Sequence, residues 1–192
     1  IIGNGFVGSS VAFGFSPQTG CDGVDIKIYD KQAGKSTHTL DEVVNDSDYI
    51  FVSVPTPMKQ DGSISLDIVD EVFKEIDSVI DYEAEEQPTI LLRSTVTPGT
   101  TAKIQEEYPR MYVVFNPEFL TERSAKFDFI NQARFILGGD SKNTKMVADL
   151  YRWRFGKTTP IIETNFETSE IIKYMNNCYL ATKVSFLNEM YK

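Results

Sequence analysis

The sequence predicts an α/β fold: a doubly wound, mostly parallel sheet that leads into the start of a long helix belonging to a helical domain. Three observations carry this expectation. Short apolar runs alternate with amphipathic stretches along the chain, as a parallel sheet with crossover helices requires. Several of the runs are apolar without interruption, which suits strands covered on both faces. A glycine-rich turn, Gly3-Asn4-Gly5-Phe6-Val7-Gly8, joins the first run to the first helical stretch.

Taken in order, the candidate strands are Ile1–Gly3, Asp25–Asp30, Tyr49–Val54, Thr89–Arg93, Tyr112–Asn116, Arg134–Leu137 and Pro160–Glu163. A helix is expected over Val7–Phe15, directly after the glycine turn. The clearest helical pattern covers Ser65 to Tyr82. There Val69, Val72, Phe73, Ile76, Val79 and Ile80 follow the 3.6-residue period, and Ser65 is placed to cap the N-terminus. Asn143 to Trp153 forms another. After Glu163 the character changes. Thr164–Lys192 holds no Pro or Gly and carries Ile171, Ile172, Met175, Tyr179, Leu180, Val184, Phe186 and Leu187 on more than one face. That is the pattern of one long helix buried by more than a sheet, and it shows no C-cap signal. The expectation is a first domain over residues 1–163 and the beginning of a helical domain over 164–192, the chain being a fragment.

The glycine turn has the form G-x-G-x-x-G. By itself this is a weak signal, since the chain holds 12 glycines. Its setting strengthens it: an apolar strand precedes it, a helix follows, and the next strand ends in Asp30, 22 positions beyond Gly8. That is the arrangement of a Rossmann-type dinucleotide site. Gly3 permits the tight turn, Gly5 lets the backbone approach a pyrophosphate, and Gly8 packs helix against strand. The helix N-terminus at Phe6 and Val7 then offers free N–H groups to the phosphates. Asp30 is placed to accept hydrogen bonds from the adenosine ribose and to repel a 2′-phosphate, which favours NAD over NADP. Lys31 beside it pulls the other way. The competing reading is a glycine turn in an unrelated α/β protein, with Asp30 merely solvated.

Composition excludes several function classes. Hydrophobic residues make up 41% and charged residues 24% of the 192-residue chain, ordinary for a globular protein. No apolar run approaches a membrane span and no secretory signal is visible, so a membrane is not an expected partner. The net charge of −9 argues against nucleic acid, which needs clustered Lys and Arg. Cys21 and Cys178 lie far apart and offer neither a disulfide framework nor a metal-ligand spacing, so no metal is expected and a reducing cytoplasm fits best. His38, the only histidine, sits in the polar loop Lys35–Thr39 and matches nothing catalytic.

Further segments raise a family. They are Val54-Pro55-Thr56-Pro57 followed by Asp61-Gly62-Ser63; Arg93-Ser94-Thr95-Val96-Thr97-Pro98-Gly99-Thr100; Asn116-Pro117-Glu118-Phe119-Leu120-Thr121-Glu122; Arg134-Phe135-Ile136-Leu137-Gly138-Gly139; and Glu170-Ile171-Ile172-Lys173-Tyr174-Met175-Asn176-Asn177. In this order, after a dinucleotide fingerprint, they resemble the UDP-glucose/GDP-mannose dehydrogenase family over essentially the whole chain. The resemblance implies a nucleotide-sugar 6-dehydrogenase that oxidises the sugar C6 hydroxyl to a carboxylate in two steps, using two NAD. It also implies an NAD domain, a central helical domain that dimerises through its long helix, and a C-terminal sugar-nucleotide domain.

The site residues follow from both readings. Val54-Pro55-Thr56-Pro57 closes a strand, where open α/β sheets take ligands, and its prolines stiffen the loop so that Thr56 can hold the cofactor; a rigid turn is the plainer alternative. Ser94 and Thr95 end the next strand on the same rim and, with Val54 and Pro55, are expected among the cofactor contacts. By resemblance, Thr95 positions a catalytic water. Glu118 and Glu122 share a face if their segment is helical, although such pairs more often mark a solvated face. By resemblance, Glu118 is the base that hydrolyses a thioester intermediate and Glu122 organises the water. Lys173 and Asn177 are four apart on the long helix. A lysine in so apolar a helix needs a reason, or else snorkels to solvent. By resemblance, it stabilises oxygen charge on the substrate, and Asn177 adds a hydrogen bond.

The chain departs from the family pattern in places. The stretch between Asp30 and Val54 is short, where the family usually has a longer segment with an additional helix, so this copy reads as trimmed in a region that supplies cofactor contacts. Arg123 follows Glu122 where many members carry glycine. The family's nucleophilic cysteine, in a downstream glycine-rich loop with a paired aspartate, has no counterpart here, and neither Cys21 nor Cys178 matches it. Two other readings stay open: a two-electron β-hydroxyacid dehydrogenase, which also carries Lys-x-x-x-Asn on a helical domain, and a non-catalytic NAD-binding module.

Overall fold

The computed structural model describes residues 1–191. At its centre lies a five-stranded sheet in the order β1 (Tyr49–Val52), β2 (Thr89–Leu92), β3 (Tyr112–Phe115), β4 (Phe135–Gly139), β5 (Ile161–Thr164). The first three run parallel, β4 is antiparallel to β3, and β5 is parallel to β4. Two extended segments continue the sheet beyond β1. Ile2 bridges Val52 on one side and Tyr29 on the other, both in parallel. The expected strands Ile1–Gly3 and Asp25–Asp30 are therefore in place but reduced to single bridges. The reason is geometric: the ladder lasts only until the chain turns at Gly3, whose φ is +90°.

No further strand pairs beyond Tyr29 among the described residues. The edge is closed instead by the loop that follows: Thr37 and His38 donate their N–H groups to Ile28 O at 2.9 and 3.1 Å, and Thr37 Oγ1 accepts from Ile28 N at 3.1 Å. A satisfied edge takes no more strands. In the 3-2-1-4-5-6 order of a Rossmann sheet, the outermost strand is the one this short stretch omits. What remains is a single helix, α2 (Leu40–Asn45), beyond α1 (Phe6–Gly14). It starts at a capping box in which Thr39 Oγ1 accepts from Glu42 N and Glu42 Oε2 accepts from Thr39 N. The stretch is short, as read from the sequence, and α2 is the one α-helix it holds among the described residues.

The uninterrupted apolar runs are explained by burial on both faces. Successive strand residues point to opposite sides. Ile2, Ile50, Val52, Ile90, Leu92, Val113 and Phe115 pack under α2, α3 (Asp67–Val79) and α4 (Thr100–Glu107). Ile1, Phe51, Leu91 and Val114 pack under α1, α5 (Ala125–Ile130) and α6 (Ser141–Phe155). Each such side chain is worth roughly 1.5–3 kcal/mol when fully buried.

Element ends differ from expectation for local reasons. Ser65 does not cap α3: Leu66 holds that position, while the Ser65 N–H is tied to Pro57 O at 2.8 Å in the preceding hairpin and its Oγ only reaches Asp67 N at 3.4 Å. The α6 helix starts earlier than Asn143 because Asp140 caps it, accepting from Lys142 N at 2.8 Å.

The last helix, α7, spans Phe166–Tyr191; Lys192, included in the expected helix, lies outside the described residues. Only Ser169, Glu170 and Lys173 are buried along it, so the expected burial on several faces is not met within this chain. Met175, Tyr179, Leu180, Val184, Phe186 and Leu187 are exposed. The buried turn is seated on a glycine: a Cβ at Gly138 of β4 would collide with Ser169 Oγ and lie 2.8 Å from Asn165 O.

Gly138→Ala should therefore push α7 off β4 and destabilise the chain by the ~1–3 kcal/mol typical of overpacking. Urea denaturation measures this. An unchanged midpoint would show that α7 does not depend on this contact.

Candidate active site

From Ile2 the chain leaves through α1 to the segment of Tyr29 on one side, then returns through α2 to β1 on the other. The crevice at these strand ends is the switch point of the sheet, where open α/β folds take ligands. A cavity of about 430 Å³ opens there. Its walls are Gly3, Gly5, Phe6 and Val7 of the glycine turn, Asp30 with Gln32 and Lys35, Ser53 to Thr56 after β1, Ser94 and Thr95 after β2, and Glu118 after β3.

The three glycines answer to different demands. A Cβ at Gly3 would collide with Ser53 O, and one at Gly8 would collide with Gly3 O, so both are required by the fold itself. Gly5 is not. As the N-cap of α1 it has φ −79° and ψ −163°, and a Cβ there would meet nothing within 4 Å. The space that Gly5 leaves open lies at the cavity wall. No side chain caps α1, and its first internal bond is Ser9 N to Gly5 O at 3.0 Å, so the first-turn N–H groups remain available for an anion. A glycine the protein does not need, beside a helix N-terminus without a cap, fits the approach of a dinucleotide pyrophosphate.

Asp30 does more than face the cavity. Its carboxylate accepts from Asn4 N at 2.6 Å and Gln32 N at 2.7 Å, which ties the glycine turn to the neighbouring strand. Lys31 turns away from it, to Glu71 at 3.0 Å and Glu75 at 2.7 Å on α3. The cation beside Asp30 is thus occupied elsewhere, and Lys35 is the lysine that reaches the wall. Sequence reasoning missed Gln32, Lys35 and Ser53; only the folded loop brings the first two round, whereas Ser53 could have been read from its place beside Val54.

Ser94 is buried and works on the protein. Its Oγ accepts from Val54 N at 3.0 Å and donates to Val54 O at 2.7 Å, so the ends of β1 and β2 are locked together and the Val54-Pro55-Thr56 loop is held. Behind it lies a buried polar cluster. The Arg93 guanidinium donates to Asn116 Oδ1 and, at 3.3 Å, to Tyr151 OH; Tyr151 OH donates to Asn116 Oδ1 at 2.5 Å, and Asn116 Nδ2 to Ile136 O at 3.0 Å. Burial pushes the Tyr151 hydroxyl up to about 12, with Arg93 pulling the other way. Arg93 is 1% exposed, its Nε and Nη2 find no partner among the described residues, and the Phe129 ring centroid lies 5.5 Å from its Cζ.

Glu118 and Lys173 meet. Lys173 Nζ, on α7, donates to Glu118 O and, at 2.8 Å, to Glu118 Oε1; Leu120 N donates to Glu118 Oε2 at 2.6 Å. Both side chains are buried, so Lys173 does not snorkel. Such a pair is costly to desolvate and strongly destabilising when one partner is lost. Glu122 does not join it. The segment is an irregular loop, so the four-residue spacing places Glu118 inside and Glu122 outside. The local bond from Leu120 N to the Glu118 side chain competes with helix formation there. Asn177 lies one turn beyond Lys173 on α7 and is exposed. Glu170, the first residue of the Glu170–Asn177 segment, is fully buried and accepts from Gly99 N, Thr101 N and Thr101 Oγ1.

The model of the UDP-glucose/GDP-mannose dehydrogenase family, NAD binding domain, matches residues 22–154. The chain belongs to this family. Its cofactor is accordingly NAD. A UDP-glucose 6-dehydrogenase from Rickettsia prowazekii is 34% identical over 165 residues, covering 81% of this chain and 36% of that protein. A GDP-mannose dehydrogenase from Pseudomonas aeruginosa, solved as a ternary complex, superposes with a TM-score of 0.82 at 29% identity, over 98% of this chain and 51% of that one. A UDP-glucose dehydrogenase from Pyrobaculum islandicum gives 0.81 at 27% identity, over 98% and 51%. The chain thus spans about a third of this curated relative and half of the two solved structures.

Two variants test the cavity. Gly5→Ala should cost no more than the ~1 kcal/mol of a poorer N-cap yet weaken NAD binding at least about tenfold, because its Cβ takes ligand space and no protein space. Equal NAD affinity in calorimetry would remove Gly5 from the site. Asp30→Ala should weaken NAD binding and narrow the gap between NAD and NADP; titration of both cofactors decides, and an unaltered preference would leave Asp30 as a turn residue only.

Proposed function

We propose that the chain is the cofactor half of an NAD-dependent nucleotide-sugar 6-dehydrogenase of the UDP-glucose 6-dehydrogenase kind, which oxidises the sugar C6 hydroxyl to a carboxylate in two steps. The observation that carries this is the meeting of Lys173, from α7, with Glu118 at the wall that also holds Thr95 and the glycine turn. NAD, when bound, takes up a hydride from the substrate carbon. Every other role belongs to the chain. Gly5 and the N–H groups at Phe6 and Val7 would hold the pyrophosphate, with Gly3 and Gly8 shaping the turn. Asp30 would hold the adenosine ribose. Val54, Pro55 and Thr56, fixed by Ser94, would hold the cofactor from the opposite wall.

Thr95 would place a water, and Glu118 would take its proton when the thioester is hydrolysed, the thioester cysteine being supplied from outside these residues. Lys173 would steady negative charge developing on the substrate oxygen, and Asn177 and Glu122 would complete the hydrogen bonding once substrate and further domains cover them. The exposed apolar face of α7 would pack against a second copy in a homodimer, since an apolar stripe of this length is not left in water. A nucleotide sugar is the partner, in the cytoplasm, with neither nucleic acid nor membrane involved. Among the described residues no helix is long and apolar enough to cross a membrane.

The test uses the enzyme carrying both this part and a sugar-nucleotide domain. Two NADH per nucleotide sugar are expected, whereas one would favour the two-electron reading. Lys173→Ala should lower kcat roughly a hundred- to thousand-fold, the range for a lost preorganised donor, with NAD affinity nearly kept. Near-normal turnover would leave Lys173 a structural lysine.

A further inference from the structure

We propose that Glu170 is a positioning residue: it couples the loop that bears Thr95 to Lys173, so that the cofactor-facing rim and the buried lysine are set as one unit. This rests on the reading of Thr95 and Lys173 above, but it is argued from contacts alone. Glu170 sits in α7, yet its carboxylate leaves that helix and lands on the start of α4. Oε2 accepts from Gly99 N at 2.6 Å; Oε1 accepts from Thr101 N at 2.8 Å and Thr101 Oγ1 at 2.6 Å. The side chain is fully buried, and a buried carboxylate is tolerated only where donors and a helix N-terminus compensate it. Without Glu170, α4 begins at Gly99 with no side-chain cap of its own.

Two short linkages run from this contact. Along α7, Lys173 is three residues on, on the same face, and its Nζ meets Glu118. Along the other chain segment, Gly99 is four residues after Thr95, and the intervening turn is stiff: Thr100 Oγ1 donates to Thr97 O at 2.6 Å and the Thr100 N–H to the same oxygen at 3.1 Å. Displacing Glu170 therefore moves both ends. A mere cap for α4 would move only one.

The chain itself can decide this without turnover, which keeps the result separate from the fate of the proposed activity. Lys173 is 4% exposed and should be acylated slowly by acetic anhydride, with exposed Lys74 as the internal standard. In Glu170→Gln, which replaces one acceptor by a donor facing the Gly99 N–H, labelling of Lys173 relative to Lys74 should rise about tenfold and NAD affinity should fall several-fold. Faster amide exchange at Gly99 and Thr101, with Lys173 still protected, would reduce Glu170 to a cap and overturn the proposal. Faster labelling with unchanged NAD affinity would overturn it too, because the Thr95 loop would then be independent. Thr101→Val removes only the hydroxyl donor and decides the matter if the Gln variant does not fold. It should raise Lys173 labelling and lower NAD affinity in the same direction by about threefold, and no change in either would count against the coupling.

Discussion

The arrangement of the site depends on Ile2 being paired on both sides. Its N–H donates to Phe51 O at 2.9 Å and its carbonyl accepts from Ser53 N at 2.8 Å, while Gly3 N and Ile1 O pair with Tyr29 at 2.9 Å each. These bonds put the first segment between two parallel neighbours that are reached by crossovers in opposite directions. The crevice between their ends follows from that pairing, before any ligand is considered. The turn at Gly3 then has to pass Ser53 O so closely that no Cβ fits, and α1 has to start so near Gly3 that Gly8 cannot carry one either. The glycine pattern is thus mostly a record of backbone crowding at this junction. Gly5 alone is left over, and it faces the cavity.

A second layer keeps the strand ends in register behind the wall. Ser94 joins β1 to β2 through both polar groups of Val54. Asn116, where β3 ends, is held by Arg93 from β2 and Tyr151 from α6, and reaches Ile136 of β4. Buried polar groups of this kind contribute less to net stability than apolar side chains of the same size would, and lose heavily when one member is removed. Their effect is geometric. They fix the strand ends to one another, and those ends carry Thr56, Thr95 and Glu118.

Much of this was legible in the sequence, for reasons that can be named. The doubly covered sheet is written in runs such as Tyr49-Ile50-Phe51-Val52 and Thr89-Ile90-Leu91-Leu92, whose alternate residues feed opposite cores. The cavity wall was legible because Gly3, Gly5, Asp30, Thr56 and Thr95 all stand at strand ends. The Glu118–Glu122 spacing gives a shared face only in a helix, and the loop after Pro117 instead turns Glu118 in and leaves Glu122 in solvent. Glu170 escaped notice because its partners, Gly99 and Thr101, are some 70 residues away and no local pattern marks a tertiary cap. The edge loop at Thr37 escaped notice because it resembles a polar linker, although the Thr39-x-x-Glu42 box beside it was there to be read.

One helix ends up with two opposite surroundings. Its first turns are sunk into the domain: Ser169 on Gly138, Glu170 on α4, Lys173 on Glu118. Its remaining turns show apolar residues to solvent, with Met175 67% and Leu187 61% exposed. No Pro or Gly interrupts α7, so nothing in its sequence invites a kink between the buried and the exposed turns. The Glu170 contact, one turn from the lysine, anchors the buried end. The place of that lysine over Glu118 is therefore fixed at the inner end of α7, by contacts this chain supplies alone.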